Sequence, residues 1–301
     1  SILKHPAVSV EMNLEELPKY MNLGMSGSRE SLFAGIHKLP PAHCLRLSRN
    51  GDLEIRRYWN PMDAVAEPLE MDEKEIGVEI LNILRTAIKD RMMSDVPFGV
   101  FLSGGIDSSV NVALMAELMT RPIDTFTVGF KELEQYNELG YARQISDLFH
   151  TNHHEILIDS RDAFPILEEL PWYEDEPNGD PVCIPLYFLS KLTRDSGTTV
   201  VQVGEGSDEQ FMGYTAMLRD YNFYNNYYKK FAALPGFLRS AGYGTARRLL
   251  KSSKQLTALE YIRKASKRED MFWGNTSIFS PSHQSKVFAD AYSRLAAIPA
   301  E

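Results

Sequence analysis

Residues 97–111, PFGVFLSGGIDSSVN, constrain the fold of this 301-residue chain more than any other stretch. Val100, Phe101 and Leu102 read as the end of a buried parallel strand and Ser103 to Ile106 as a tight loop. Asp107 then opens a helix with Val110, Ala113, Leu114 and Leu118 on its inner face. A strand that breaks into two glycines and restarts as a helix leaves backbone N–H groups at the carboxyl end of the strand. Such a place suits phosphate, because the amides lack partners, the helix dipole favours negative charge, and Gly104 and Gly105 carry no Cβ to hold an anion away.

The flanking sequence alternates strand and helix. Ile76, Ile80, Ile83, Leu84, Ala87 and Ile88 mark the apolar stripe of a helix leading to Val96-Pro97. IDTFTVGF is a second strand, Tyr136 to Phe149 a helix with Tyr141, Ile145, Leu148 and Phe149 on one face, HHEILI a third strand, and TTVVQV a fourth. This order predicts an α/β fold with a doubly wound, mostly parallel sheet and ligands beyond the carboxyl ends of its strands. His153 and His154 fall on opposite faces of the third strand, so with His150 they are read as a polar strand start and not as a metal site.

The fourth strand runs into GEGSDEQFMGY, where Glu205, Asp208 and Glu209 crowd a strand end. Like charges so close repel, a conflict that a magnesium polyphosphate or an ammonium-bearing substrate removes. Beside SGGIDSS, the hydroxyls of Ser103, Ser108 and Ser109 can donate to phosphate oxygens, and Asp107 makes sense as a magnesium ligand. The Lys-Ser/Thr ending of a P-loop is absent.

Composition sets bounds around these motifs. The formal net charge of −9 argues against a nucleic-acid surface, even for the tyrosine-rich and basic stretch from Leu218 to Lys251, which reads as helices with a solvated face. No apolar run reaches bilayer length, and the amino end lacks a signal-peptide pattern. Two widely spaced cysteines, Cys44 and Cys183, read as buried small hydrophobes and fit a reducing cytoplasm.

The string SGGIDSS resembles the pyrophosphate loop of the ATP-pyrophosphatase superfamily. TFTVGF, the acidic loop DEPNGDPVCIP and GEGSDE are together similar to the synthetase domain of glutamine-dependent asparagine synthetases, with Val182 where a serine is common. LPPAH and RRYW, around a hairpin turning at Asn50-Gly51, resemble the end of that family's glutaminase domain, with Ala42 where a glycine is usual. That substitution matters only if the position needs a positive φ.

The resemblance implies a sheet of the adenine-nucleotide alpha-hydrolase-like type with a helical C-terminal part. Residues 1–60 would be a remnant of the glutaminase domain and residues 61–301 an ATP-binding domain incomplete at its carboxyl end, joined by the linker PMDAVAEPLEMD. It implies ATP and Mg2+, a carboxylate acceptor, aspartate or another acid, and ammonia from glutamine; a homodimer is compatible with it, and a nucleotide-binding module without turnover is the alternative reading of this chain. Ser103, Gly104, Gly105, Ser108 and Ser109 would hold the β and γ phosphates, and Leu102, Val128 and Gly204 would frame the nucleoside. Asp107 and Asp208 would ligate magnesium, and Glu205 maps onto the family glutamate required for the acyl-adenylate, with Glu209 beside it. Ser1 stands where that family's nucleophilic cysteine is absent, so no glutamine hydrolysis is expected.

Overall fold

The computed structural model describes residues 2–27, 29–64, 70–132, 135, 137–250, 252 and 255–271. The expectations for Ser1, Tyr136, the middle of the linker and the chain beyond Met271 fall outside them. Two compact units are present, one drawn from Val65–Glu174 and Asp180–Phe211, the other from Ser1–Ala64, Asp175–Gly179 and Met212–Glu301.

Before the first unit come helix α1 (Leu17–Leu23) and the antiparallel hairpin of β1 (His43–Leu47) and β2 (Leu53–Arg57). The hairpin loop closes through Ser48 N to Asp52 O (2.9 Å) and Gly51 N to Ser48 O (3.1 Å). Only Gly51 has a positive φ, and Asn50 does not, as in a three-residue loop and not a two-residue turn. Leu45, Leu47, Leu53 and Ile55 alternate as expected and all are exposed. Cys44, on this ribbon, is exposed as well, against the expectation of a buried residue; Cys183 is buried.

The sheet unit begins with α2 (Glu73–Arg91), started by a reciprocal capping box between Asp72 and Glu75. Strands β3 (Phe98–Phe101), β4 (Asp124–Phe130), β5 (Asn152–Ile158) and β6 (Val200–Gln202) form one parallel sheet in the order β5-β4-β3-β6. Its connections are α3 (Ile106–Leu118), α4 (Leu139–Phe149), then α5 (Ser160–Ile166), α6 (Leu170–Tyr173) and α7 (Cys183–Asp195), with α8 (Ser207–Phe211) after β6. The chain winds outward from β3 through β4 to β5 and returns to the other side of β3. The switch point of this doubly wound sheet therefore lies between β3 and β6.

Ile88, Val100, Leu102, Val112, Leu114, Met115, Ile123 and Ala142 form the core. Two helices keep part of the expected face. On α3 Leu114 is buried and Val110 packs on the core as expected, joined by Ser108, Asn111, Val112 and Met115, while Leu118 is exposed. On α4 Ile145 and Phe149 pack on the core as expected and Leu139, Ala142 and Ser146 are buried, while Tyr141 and Leu148 are exposed; the Tyr141–Ala142 backbone presses on the loop at Gly104. On α2 only Ile88 of the stripe is fully buried, and Ile76 and Ile83 are exposed.

His153 and His154 do point to opposite faces. His153 Nδ1 lies 2.8 Å from Thr125 Oγ1, and His154 lies 3.3 Å from Asp124 Oδ1 and stacks on Phe126.

In the other unit, α9 (Thr215–Phe223), a π-helical turn (Tyr224–Tyr228), α10 (Lys229–Ala232), α11 (Gly236–Leu249) and α12 (Leu256–Lys267) pack around Tyr228, Ala265 and Met271. Lys264 is buried here, its Nζ donating to Asp270 O at 3.2 Å, and burial pushes its pKa down to about 8. Arg263 spans Glu260 and Glu269 with bonds of 2.7 Å to each.

Candidate active site

The loop after β3 is shaped by its own hydroxyls. Ser108 Oγ accepts from Ser103 N (3.2 Å), lies 3.0 Å from Ser103 Oγ and donates to Gly105 O (3.3 Å), while Ser103 Oγ accepts from Gly105 N (3.1 Å). Gly104 holds φ +83°, and a Cβ there would come 2.5 Å from Tyr141 Cβ and 2.6 Å from Ala142 N. Glycine is required on both counts: the left-handed backbone and the close approach of α4. Gly105 is the N-cap of α3 and no side chain caps that helix. Its first-turn amides are thus left for an incoming acceptor.

Gly204, after β6, joins this loop to the second acidic one. A Cβ there would meet the Asp107 carbonyl carbon at 3.1 Å and Asn111 Nδ2 and Asp107 Cβ at 3.2 Å. The two motifs, about a hundred residues apart in sequence, therefore meet at the switch point of the sheet, and Asp107 lies beside the loop that leads to Asp208. Asp107 and Asp208 are half-buried, Glu205 and Glu209 are exposed, and neither Asp107 nor Asp208 makes an ion pair with a described residue. Two carboxylates, one from each loop, fit a hard cation such as Mg2+. Among the described residues no group of three His, Cys, Asp or Glu forms a ready-made metal site.

Three of the expected residues sit differently from their roles. Leu102 is sealed in the core, its amide donating to Phe126 O at 2.9 Å and its carbonyl accepting from the Thr127 hydroxyl, which leaves it no surface for a nucleoside. The Ser108 hydroxyl is spent on the loop, and Ser109 Oγ is buried without a partner. Val128 stands half-buried in β4 opposite Ile156 of β5, toward the carboxyl end of the sheet.

The acidic loop before α7 carries the one feature sequence reasoning missed. Glu176, part of the acidic loop that resembles the family motif, is a hub: it accepts from Leu32 N (2.8 Å) and the Ser26 hydroxyl and pairs with Lys38 Nζ at 2.8 Å. Gly179 N donates to Gly24 O at 2.7 Å. Burial pushes the Glu176 carboxyl up, but the bonds from Lys38, Ser26 and Leu32 outweigh it and hold the group below the usual carboxylate range. At the start of α7, Asp180 does the capping, its Oδ1 accepting from Val182 N at 3.0 Å, and Val182 contributes no cap of its own.

The sequence is 36% identical over 234 residues to a Methanocaldococcus jannaschii protein provisionally named asparagine synthetase (glutamine-hydrolyzing) 2, covering 77% of this chain and 43% of that protein. It is 28% identical over 273 residues to asparagine synthetase (glutamine-hydrolyzing) 1 of Bacillus subtilis, covering 91% of this chain and 41% of that protein. A third relative, amidase chyE of Penicillium rubens, is 30% identical over 206 residues, 63% of this chain and 30% of that protein. The chain thus spans well under half the length of these relatives. The asparagine synthase family profile matches residues 79–294. That match contains both acidic loops, the whole parallel sheet and the helical segment beyond them, and the protein belongs to the asparagine synthase family.

Proposed function

We propose that the chain is the synthetase portion of an ATP-dependent amidotransferase that activates a carboxylate by adenylation. A carboxylate oxygen attacks the α phosphorus of ATP, the bond to the β phosphate breaks, and pyrophosphate leaves. Ammonia, from glutamine, then attacks the acyl carbon of the mixed anhydride, loses a proton, and AMP departs with the C–O bond pair, giving the amide. The observation that carries the reading is the packing of Gly204 on the first turn of α3, which puts the glycine loop and the acidic loop in one crevice.

In that crevice the Gly104 amide and the first-turn amides of α3 hold the phosphates, the Ser103 and Gly105 amides being bonded within the loop, and Gly204 and Val128 bound the nucleoside side. Asp107 and Asp208 would hold Mg2+, which neutralises charge on the departing pyrophosphate. Glu205, exposed on the acidic loop, orients the acceptor. The names of the bacterial and archaeal relatives support aspartate as acceptor and asparagine as product. A second reading, another carboxylate, is favoured by the fungal amidase, which has the same family portion under a different name. Small-molecule substrates and two free cysteines suit a reducing cytoplasm.

ATP–pyrophosphate exchange tests the reading. Glu205→Gln should leave ATP binding intact, because the other loop holds the phosphates, and lower exchange by about a hundredfold, the usual effect of removing one preorganised electrostatic group. Exchange at the wild-type rate in that variant would remove Glu205 from the reaction.

A further inference from the structure

A cavity of about 540 Å3 opens at the carboxyl ends of β4 and β5. It is lined by Phe130 and Ile158, the last residues of those strands and partners in register, by Ala163 of α5, and by Val182 and Ile184 at the start of α7, with Glu132 on its rim. Its size falls in the range of small-molecule sites, roughly 300–1,000 Å3, and its walls are apolar with few polar groups, as such sites are.

Those polar groups restrict the ligand. At the start of α7 the amides of Val182, Cys183 and Ile184 already donate to Asp180 Oδ1, Asp180 O and Pro181 O, and Pro185 has none. Nothing there can receive a carboxylate or a phosphate. Asp159 is held by Arg161 at 2.9 Å and Lys131 at 3.3 Å, whereas Glu132 takes the Ser160 hydroxyl, at 3.2 Å, feels Arg161 only through space, and among the described residues forms no ion pair. The rim therefore accepts hydrogen bonds and favours positive charge. Neighbouring strands lie about 4.8 Å apart, and β4 is next to β3, so the cavity and the phosphate loop share one edge of the sheet at a separation of roughly 10 Å.

We propose that this cavity seats the apolar body of the acceptor acid: a carboxylic acid whose carboxylate reaches the phosphate loop and whose far end carries an amine toward Glu132. The proposal rests on the adenylation reading and takes its second form, an acceptor other than aspartate. Aspartate has no apolar body, and its second carboxylate would meet the acidic rim.

The test compares 8-aminooctanoate, octanoate and aspartate, on the full chain, by pyrophosphate exchange and by calorimetric binding. With 8-aminooctanoate, kcat/KM should exceed that with aspartate at least tenfold. Ala163→Phe, which fills the cavity, should raise its KM at least tenfold and leave the KM for ATP unchanged. Glu132→Gln, at an exposed position that does not threaten folding, should abolish the preference for 8-aminooctanoate over octanoate. A preference for aspartate that neither variant alters would overturn the cavity assignment while leaving adenylation standing. If no acid supports exchange, adenylation fails; calorimetry then decides the cavity alone, since saturable 8-aminooctanoate binding lost in Ala163→Phe supports it and absence of binding overturns it.

Discussion

Ala42 holds a left-handed backbone at φ 58°, the condition under which its place in a glycine position matters. Its carbonyl accepts from Tyr58 N at 2.8 Å, so the hairpin cannot relax that turn without losing a bond. An alanine in this region is strained by about 1–2 kcal/mol, part of which a glycine would return as unfolded-state entropy. Ala42→Gly should therefore raise stability by about 1 kcal/mol, seen as a higher urea midpoint at unchanged m. An unchanged midpoint would mean that the turn carries no strain. Asp107 stands as a magnesium ligand by its place in the glycine loop, and Gly204 brings the second acidic loop against it. Calorimetry of ATP binding with Asp107→Ala should lose the magnesium-dependent part of the affinity and keep the rest, and unchanged affinity would dismiss the metal assignment. Serine roles were less legible. SGGIDSS displays three hydroxyls, but two of them, Ser103 and Ser108, build the loop, because only the folded turn brings Ser108 Oγ back to Ser103 N and Ser103 Oγ to Gly105 N.

On α3 and α4 the apolar spacing predicts only part of the buried face: Leu114, Ile145 and Phe149 meet the core, and Leu118, Tyr141 and Leu148 do not. The apolar residues of α3 and α4 recur at helical spacing over more than one stripe, and a stripe read one position off still looks amphipathic. Ser108 and Gly104, outside the periodic pattern, hold the two helices to the loop after β3. In α12 a buried residue is charged. Lys264 is fully buried beside Glu260, Arg263, Glu269 and Asp270, with Tyr228 OH donating to Glu269 O at 2.7 Å from the facing turn. Its pKa of about 8 lies below the lysine reference of 10.5, so between those values the unfolded chain binds more protons than the folded one. Stability of the helical unit should rise with pH from about 8 to about 10, where the neutral amine is already favoured in the fold. Above 10 the Tyr228 hydroxyl, pushed up to about 12 chiefly by burial, opposes the trend, because there the folded state holds the extra proton. Thermal melts across this range should show the rise, and Lys264→Met should flatten it; a flat wild-type profile would show that the amine keeps its ordinary pKa.

For the whole molecule, Glu176 links segments far apart in the chain: Ser26, Leu32 and Lys38 lie well over a hundred residues from it. Its depressed pKa gives a sign to acid sensitivity. The stabilisation is complete above the unfolded glutamate value near 4.5 and is lost as pH falls through the lower folded value. Hydrogen exchange at the Leu32 amide should accelerate over that acid range, and Glu176→Gln should show the faster exchange already at neutral pH; equal protection in both proteins would mean that the clamp is not what holds the segment. None of this was visible in the string EDEPNGDP, where four carboxylates look like a solvated run, because a partner so distant in sequence leaves no local period or spacing to read. The parallel sheet, its helices and the two acidic motif loops were determined by sequence alone, since strand runs, glycine breaks and caps act over a few residues and carry their own local physics. Only the tertiary structure decided that Gly204 rests on the first turn of α3, that the hairpin leaves its leucines uncovered and that Glu176 is a clamp. Each of those depends on which distant surface arrives opposite a residue, and close packing, not local preference, settles that.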